Sequence, residues 1–139
     1  MGELVTIKGQ ALAASVTRID LFDGKFTTGY RLKEFNVMPR DITTREMVIG
    51  RLMTGDLPHS IEWNWDNNFE VGWSAYGVPL SDRFGVYNRV DEDVVIVEDL
   101  FIDMTGDTGE LINYLIVLER LTFPVGIGAM NMVRNMSQG

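Results

Sequence analysis

The chain of 139 residues contains no cysteine and a single histidine, His59. Without cysteine it has no disulfide, no thiolate metal site and no cysteine nucleophile. A histidine-rich metal site or a catalytic triad needs partners for His59 that the sequence does not supply. His59 follows Pro58 in a predicted turn, and we interpret it as a surface loop residue. The sequence therefore predicts no catalytic residue, no metal site and no cofactor.

Positive charge and long apolar runs are also scarce. The chain has 12 Lys and Arg residues against 20 Asp and Glu residues, a net charge of −8. An acidic surface is repelled by phosphates, which argues against a general nucleic-acid binder. No apolar run reaches the roughly 18 residues that span a bilayer, so we expect no membrane span. The first residues lack a basic stretch followed by an apolar run, so we also expect no cleaved secretory signal.

The pattern that the chain does contain is that of β-strands. A hydrophobic content of 45% and a charged content of 23% are ordinary for a globular protein, and the length suits one domain. Residues 94–120 hold two runs of branched and aromatic residues around a small polar turn at 105–109. This composition predicts a central β-hairpin. The second run is apolar on both faces, so we expect it to be covered on both sides.

Further strands are predicted on either side of this segment. Residues 11–22 and 26–38 have β character and are separated by an Asp-Gly pair, a strong hairpin signal. Residues 42–54 favour a strand over a helix, and residues 61–76 alternate in a way that predicts a second hairpin. Residues 77–88 are predicted to be a loop. About eight strands and no convincing long helix predict an antiparallel β-sandwich or a small barrel.

The last part of the chain has a different composition. Residues 124–139 are rich in Gly and Met, contain no acidic residue and carry Arg134 as their one basic group. We therefore divide the chain into a β-sandwich domain, residues 1–123, and an extended C-terminal arm, residues 124–139, that docks on something else. The arm residues predicted to make assembly contacts are Pro124, Val125, Ile127, Met130, Met132, Val133, Arg134 and Met136.

Aromatic residues cluster in the predicted second hairpin. The candidates are Trp63, Trp65, Trp73 and Tyr76. Tryptophans on one face of a sheet, with Asn and Asp nearby, can stack on sugar rings, and aromatic residues also dominate cores and subunit contacts. We interpret them as core or assembly residues, with sugar binding as the alternative.

Three segments together resemble a known class of protein. The series TTGYRLKEFNV, WNWDNNFEVGWSAY and VVIVEDLFIDMTGDTGELINYLIVLER, within residues 26–37, 63–76 and 94–120, resembles small virion proteins of tailless or marine phages. These proteins are similar to single jelly-roll capsid subunits. The resemblance implies an all-β, single jelly-roll-like sandwich that builds or decorates a shell, with no catalytic residues. The chain is short for a major capsid protein, which leaves a minor capsid, vertex or cement role open.

The leading hypothesis is thus a non-enzymatic structural protein of a virion, assembled in the host cytoplasm. Its expected partners are copies of itself and other virion proteins, and nucleic acid is expected to be contacted only through the C-terminal arm. The alternative from another class is a small carbohydrate-binding module that uses the tryptophan-rich face. A cupin-like enzyme is a third possibility, which the single histidine disfavours.

Overall fold

The computed structural model of the protein is built from β-strands packed in two sheets. It describes residues 2–21, 27–41, 47–77, 85–106 and 109–123. The nine strands of these residues are β1 (Glu3–Leu12), β2 (Ser15–Ile19), β3 (Thr28–Pro39), β4 (Val48–Met53), β5 (Glu70–Gly77), β6 (Gly85–Val90), β7 (Val95–Ile96), β8 (Leu100–Thr105) and β9 (Leu111–Thr122).

The order of the strands is that of a jelly roll. The first sheet has the order β1-β9-β3-β7 and the second the order β2-β8-β4-β5-β6. Strands β1 and β9, β2 and β8, β3 and β7, and β4 and β5 pair antiparallel in succession. In a jelly roll, an extended antiparallel hairpin is wrapped so that its successive strand pairs fall alternately in the two sheets. Here the pairs β1/β9 and β3/β7 lie in the first sheet, and the pairs β2/β8 and β4/β5 lie in the second. The predicted all-β sandwich is confirmed, and β6 is an additional strand at the edge of the second sheet.

The core lies between the two sheets and is made by alternate residues of the strands. Leu100, Ile102 and Met104 of β8 are fully buried in the same cluster as Ile112 and Ile116 of β9. Residues two apart on a strand point to the same face, so strands such as β8 contribute every second side chain to this cluster. Burial of these side chains from water is the main stabilising term of the sandwich.

One glycine allows the sheets to approach closely. A Cβ atom on Gly50 of β4 would lie 2.7 Å from Val37 Cγ1 and 2.9 Å from Phe35 Cζ, both on β3 of the opposite sheet. Real Cβ atoms do not come this close to other carbon atoms, so a side chain at position 50 would push the sheets apart.

The predicted central hairpin of residues 94–120 is wrong. Strand β8 pairs with β2 and β4 in the second sheet, whereas β9 pairs with β1 and β3 in the first. The turn between them therefore crosses from one sheet to the other, and residues 107–108 of this turn lie outside the described part. Both strands are apolar because each presents one face to the shared core. The outward residues of β9 are half-buried, and within the described residues no second layer packs on them, so their cover by another subunit stays a prediction.

The first predicted hairpin is wrong for a similar reason. The strand predicted at residues 11–22 is interrupted after Leu12, where Ala14 adopts a left-handed φ of 59°, and it resumes as β2. Strands β2 and β3 lie in different sheets and do not pair, and the predicted Asp-Gly turn, within residues 22–26, lies outside the described part. Of the strand predicted at 42–54, β4 is confirmed and residues 42–46 lie outside the described part. Residues 124–139, with all eight arm candidates, also lie outside it.

A carboxylate fixes the N-terminal end of the first sheet. The backbone N–H of Gly2 donates to Glu119 Oε2 at 3.1 Å, and Arg31 Nη1 donates to Glu119 Oε1 at 3.3 Å. The bond from Gly2, with help from the positive charges of Lys33 and Arg31, lowers the pKa of Glu119 below its usual value. The ionised form of Glu119 thus ties β1 to β9 and β3.

Candidate functional site

A buried cluster of charged side chains lies on the face of the second sheet that points away from the core. Arg51, Glu70 and Asp103 come from the neighbouring strands β4, β5 and β8, and the carboxylates of Glu70 and Asp103 are fully buried. Arg51 Nη1 donates to Glu70 Oε2 at 2.7 Å, and Arg51 Nε donates to Asp103 Oδ2 at 2.9 Å. One guanidinium group therefore bridges two carboxylates across three strands.

His59 is an exposed loop residue, as predicted, and it also contacts this cluster, which the sequence did not indicate. Its Nδ1 atom lies 2.5 Å from Asp103 Oδ1, and its side chain is 29% exposed. The sequence could not place the two residues together because 44 positions separate them. An imidazole beside a buried carboxylate is a familiar arrangement in enzymes. Here the carboxylate is also bound by Arg51 and by a main-chain N–H group, so it acts as the centre of a network.

The cluster holds the segment between β4 and β5 against the sheet. Arg51 Nη2 donates to the carbonyl of Pro58 at 2.9 Å, and the backbone N–H of Ser60 donates to Asp103 Oδ2 at 2.9 Å. The N–H of Asn64 donates to Glu70 Oε1 at 2.8 Å. Every carboxylate oxygen of the cluster thus has a partner. The arrangement holds this loop in place against the outer face of the second sheet.

This segment is the first half of the predicted second hairpin, and that half is wrong. Residues 61–65 form no strand, and only β5 follows the prediction. The alternation of Ile61, Trp63 and Trp65 suggested a strand, but the main-chain N–H of Asn64 bonds a side chain of the cluster instead of a neighbouring strand. Side-chain partners have replaced the ladder of a sheet at this point.

The loop carries aromatic side chains onto the outer face of β5 and β6. The indole of Trp65 meets that of Trp73 edge to face, with ring centroids 6.0 Å apart, and Trp63 lies 5.6 Å from Tyr87. Trp65 is 64% exposed. Trp73 Nε1 donates to Glu70 Oε1 at 2.9 Å, whereas Trp63 Nε1 is buried without a hydrogen-bond partner among the described residues. Two of the three predicted tryptophans, Trp65 and Trp73, are therefore in contact, and Trp63 contacts Tyr87 on the same outer face of the second sheet.

Tyr76, the fourth aromatic candidate, is not part of this group. It lies an odd number of residues from Trp73 on the same strand, and its side chain packs against the core. Tyr87 takes its place in the group. Sequence reasoning missed Tyr87 because residues 77–88 were predicted to be a loop, whereas residues from 85 onward form β6. The alternation of Val86, Asn88 and Val90 is the signal that could have identified this strand.

Strand β6 forms an exposed surface, which we call the β6 surface and define as residues 85–90. All of its residues but Val90 are exposed, among them Val86 at 65% and Tyr87 at 39%. Among the described residues, only β5 pairs with β6. The β6 surface is therefore an edge strand with apolar side chains on both of its faces.

A depression of about 540 Å³ adjoins the β6 surface. It is mostly apolar, and its lining includes Val37, Met38, Tyr76, Val86, Tyr114 and Leu115. The position of Asn88 beside it is fixed by the core: the N–H of Val37 donates to Ser74 Oγ at 2.9 Å, and Ser74 Oγ donates to Asn88 Oδ1 at 2.5 Å. Met38 at the rim is 42% exposed. The depression extends the apolar area of β6 onto the first sheet.

Comparisons with known proteins assign no family. No protein-family model matches the chain, and no curated protein matches it with significance. Within the described ranges, no group of three or more His, Asp or Glu side chains is placed to hold a metal ion. The same ranges contain no helix long and apolar enough to cross a membrane. A functional argument therefore starts from the surfaces described above.

Proposed function

We propose that this protein is a structural subunit of a virion shell, which it builds by self-assembly or decorates as a minor capsid or cement protein. The observation that carries the proposal is the β6 surface, an edge strand that exposes Val86 and Tyr87. Soluble monomers usually protect such edges with charges, prolines or a covering element, because an open apolar edge pairs with other chains. An edge of this kind is expected where a partner covers it.

The architecture supports the same proposal. Jelly rolls occur in viral capsid proteins and also in lectins and cupins, so the strand order narrows the choice without deciding it. Among these classes, assembly best fits a chain whose buried acids are fully bonded to Arg51 and to the loop. The partners proposed are copies of this chain and other virion proteins, with nucleic acid contacted only through residues 124–139.

The test of self-assembly is size-exclusion chromatography coupled to light scattering, followed by negative-stain imaging of the largest species. A defined oligomer, rings or closed shells are the expected result, with a distribution that shifts upward with protein concentration. A chain that stays monomeric over the whole accessible concentration range would exclude self-assembly.

Binding of a carbohydrate is a second candidate function, favoured by one observation. Trp65 exposes 64% of its surface and stands in edge-to-face contact with Trp73, so an indole face is open to a ligand. Aromatic faces bind the apolar faces of sugar rings. The two indoles stand at 72° to each other and do not form a continuous platform, which favours the assembly proposal.

Tryptophan fluorescence tests the sugar hypothesis. Oligosaccharides of several classes would be titrated into the wild type and into Trp65→Ala, with Ile61→Ala, another exposed position of the same loop, as the control. A saturable change that Trp65→Ala abolishes and Ile61→Ala retains would establish sugar binding. An unchanged spectrum across the panel would remove this candidate.

A further inference from the structure

The hydrogen-bonding groups of β6 can be assigned to its two edges. The N–H of Asp91 donates to the carbonyl of Val71 at 2.8 Å, which makes these two residues a hydrogen-bonded pair between β6 and β5. Hydrogen-bonded and non-hydrogen-bonded pairs alternate along an antiparallel ladder. In the register of this ladder, Gly85, Tyr87 and Arg89 therefore bond to β5. The main-chain N–H and C=O groups of the remaining residues, Val86, Asn88 and Val90, point to the other edge.

We propose that the β6 strands of two copies of this protein pair antiparallel around a two-fold axis that passes between their Asn88 residues. This inference rests on the proposed function and specifies one of its contacts. In this register Asn88 faces Asn88 of the second copy. Val86 of each copy faces Val90 of the other copy. Each of the three facing pairs exchanges two hydrogen bonds, six in all. Two five-stranded sheets become one sheet of ten strands.

The side chains of β6 complement each other in this register. On the face of the depression, Val86 contacts Val90 of the second copy on each side of the axis. On the opposite face, Tyr87 lies across from Arg89, the only charged residue of the strand, so each guanidinium meets a tyrosine ring. In the next possible register, the two-fold axis would pass between the Arg89 residues, so that Arg89 of one copy would face Arg89 of the other. That like-charge pair disfavours the alternative.

The charge distribution also fits a second copy as the occupant. The chain has a net charge of −8, so two copies repel each other unless their acidic groups are kept apart. The acidic turn Asp91, Glu92 and Asp93 follows β6 directly. Antiparallel pairing places the two turns at opposite ends of the contact, about 20 Å apart at the strand rise of ~3.4 Å per residue. That separation exceeds the screening length of roughly 8 Å in physiological salt.

Single cysteines test the register directly, because the chain has none of its own. Residues that face each other in a hydrogen-bonded pair have Cα atoms about 5.5 Å apart, within the range of a disulfide. Asn88→Cys should therefore form a disulfide-linked dimer on mild oxidation. Tyr87→Cys and Arg89→Cys should react at least about tenfold more slowly, since diagonal neighbours are roughly 7–8 Å apart. Fastest cross-linking at position 87 or 89, or equal rates at all three, would overturn the proposed register.

A charge substitution tests the same contact without cysteines. Val86→Lys places an ammonium group in the contact and should weaken dimer formation by at least about tenfold, because the charge would be desolvated without a partner. The control is Leu4→Lys on β1, which is 64% exposed against 65% for Val86 and should leave dimer formation unchanged. Sedimentation velocity measures association, and circular dichroism with urea unfolding checks that both variants fold. Assembly that survives Val86→Lys would refute the β6 contact and leave the proposed function standing, whereas a wild type without any assembly would refute both.

Discussion

Replacement of Arg51 by Met is the most informative single change to the fold. Methionine fills a volume similar to that of the arginine stem but supplies no charge and no donor. The carboxylates of Glu70 and Asp103 would remain fully buried, and the carbonyl of Pro58 would lose its donor. The bonds from the loop N–H groups of Ser60 and Asn64 to these carboxylates would survive. The variant therefore isolates the contribution of the cation.

The expected loss of stability is large. Removal of one partner from a buried ion pair costs about 3–5 kcal/mol, because the remaining charge is desolvated without compensation. Arg51 compensates two carboxylates at once, so we expect the upper half of this range. The whole free energy of unfolding of a domain is about 5–15 kcal/mol. The variant should therefore lose from about a quarter to all of the wild-type free energy of unfolding.

Urea unfolding followed by tryptophan fluorescence and far-ultraviolet circular dichroism measures this loss. The matched control is Lys33→Met, which breaks the ion pair of Lys33 with Glu92, whose side chains are 39% and 50% exposed. Exposed pairs contribute about 0.2–1 kcal/mol, so the control should lie close to the wild type. A loss for Arg51→Met as small as that of the control would refute the argument that the cluster is held by its cation.

A double-mutant cycle separates the charge from the packing. If the penalty of Arg51→Met arises from an uncompensated carboxylate, then Asp103→Asn should reduce it, because the neutral amide needs no cation. The combination Arg51→Met with Asp103→Asn should then cost less than the sum of the two single changes. Strict additivity would mean that the penalty does not come from the charge of Asp103, which would leave Glu70, the Pro58 carbonyl or packing as its source.

Three further predictions concern single positions of the sandwich. Gly50→Ala should destabilise the protein by about 1–3 kcal/mol in urea unfolding, because the new methyl group would meet Phe35 across the sheets; a neutral result would refute the close approach of the sheets. Glu119→Gln should lower the urea midpoint at neutral pH, because the Gly2 N–H stabilises the ionised carboxylate and lowers the pKa of Glu119. The difference in midpoint between wild type and variant should persist down to about pH 4.5 and vanish as the pH falls further and the carboxylate is protonated. A difference in midpoint that does not depend on pH would contradict this. Ala14→Gly should raise the thermal midpoint, with a gain of up to about 1 kcal/mol, because Ala14 has a left-handed φ; a lower midpoint would show that no strain is relieved there.

The fold class was predictable from the sequence because strand formation depends on local pattern. Alternation and turn residues identified most of the strands, and the absence of helical periodicity excluded a helical fold. Strand pairing was not predictable in the same way. The runs now assigned to β8 and β9 are adjacent in sequence and equally apolar, yet they lie in opposite sheets. Nothing in a turn of small polar residues specifies whether the chain returns along the same sheet or crosses to the other.

The candidate site was predictable only in its aromatic part. Sequence analysis identified Trp63, Trp65 and Trp73 because large aromatic side chains are typical of cores, interfaces and sugar-binding faces. The cluster of Arg51, Glu70, Asp103 and His59 could not be found, since its members are brought together by long-range strand pairing. Strand β6 was missed for a different reason, as six residues with two valines and an asparagine look like an extended loop.

The buried cluster and the β6 surface are connected through the loop between β4 and β5. Arg51 holds the carbonyl of Pro58, the loop then carries Trp63, and Trp63 packs against Tyr87 on the outer face of β6. Tyr87 in turn is the residue that we expect to meet Arg89 of a second copy. Release of the loop should therefore loosen the Tyr87 ring and weaken association under conditions in which the protein is still folded. Arg51→Met should lower dimer formation in sedimentation experiments without urea, whereas Lys33→Met should not. Equal association of both variants, with Arg51→Met shown to be folded, would mean that the edge strand pairs independently of the loop.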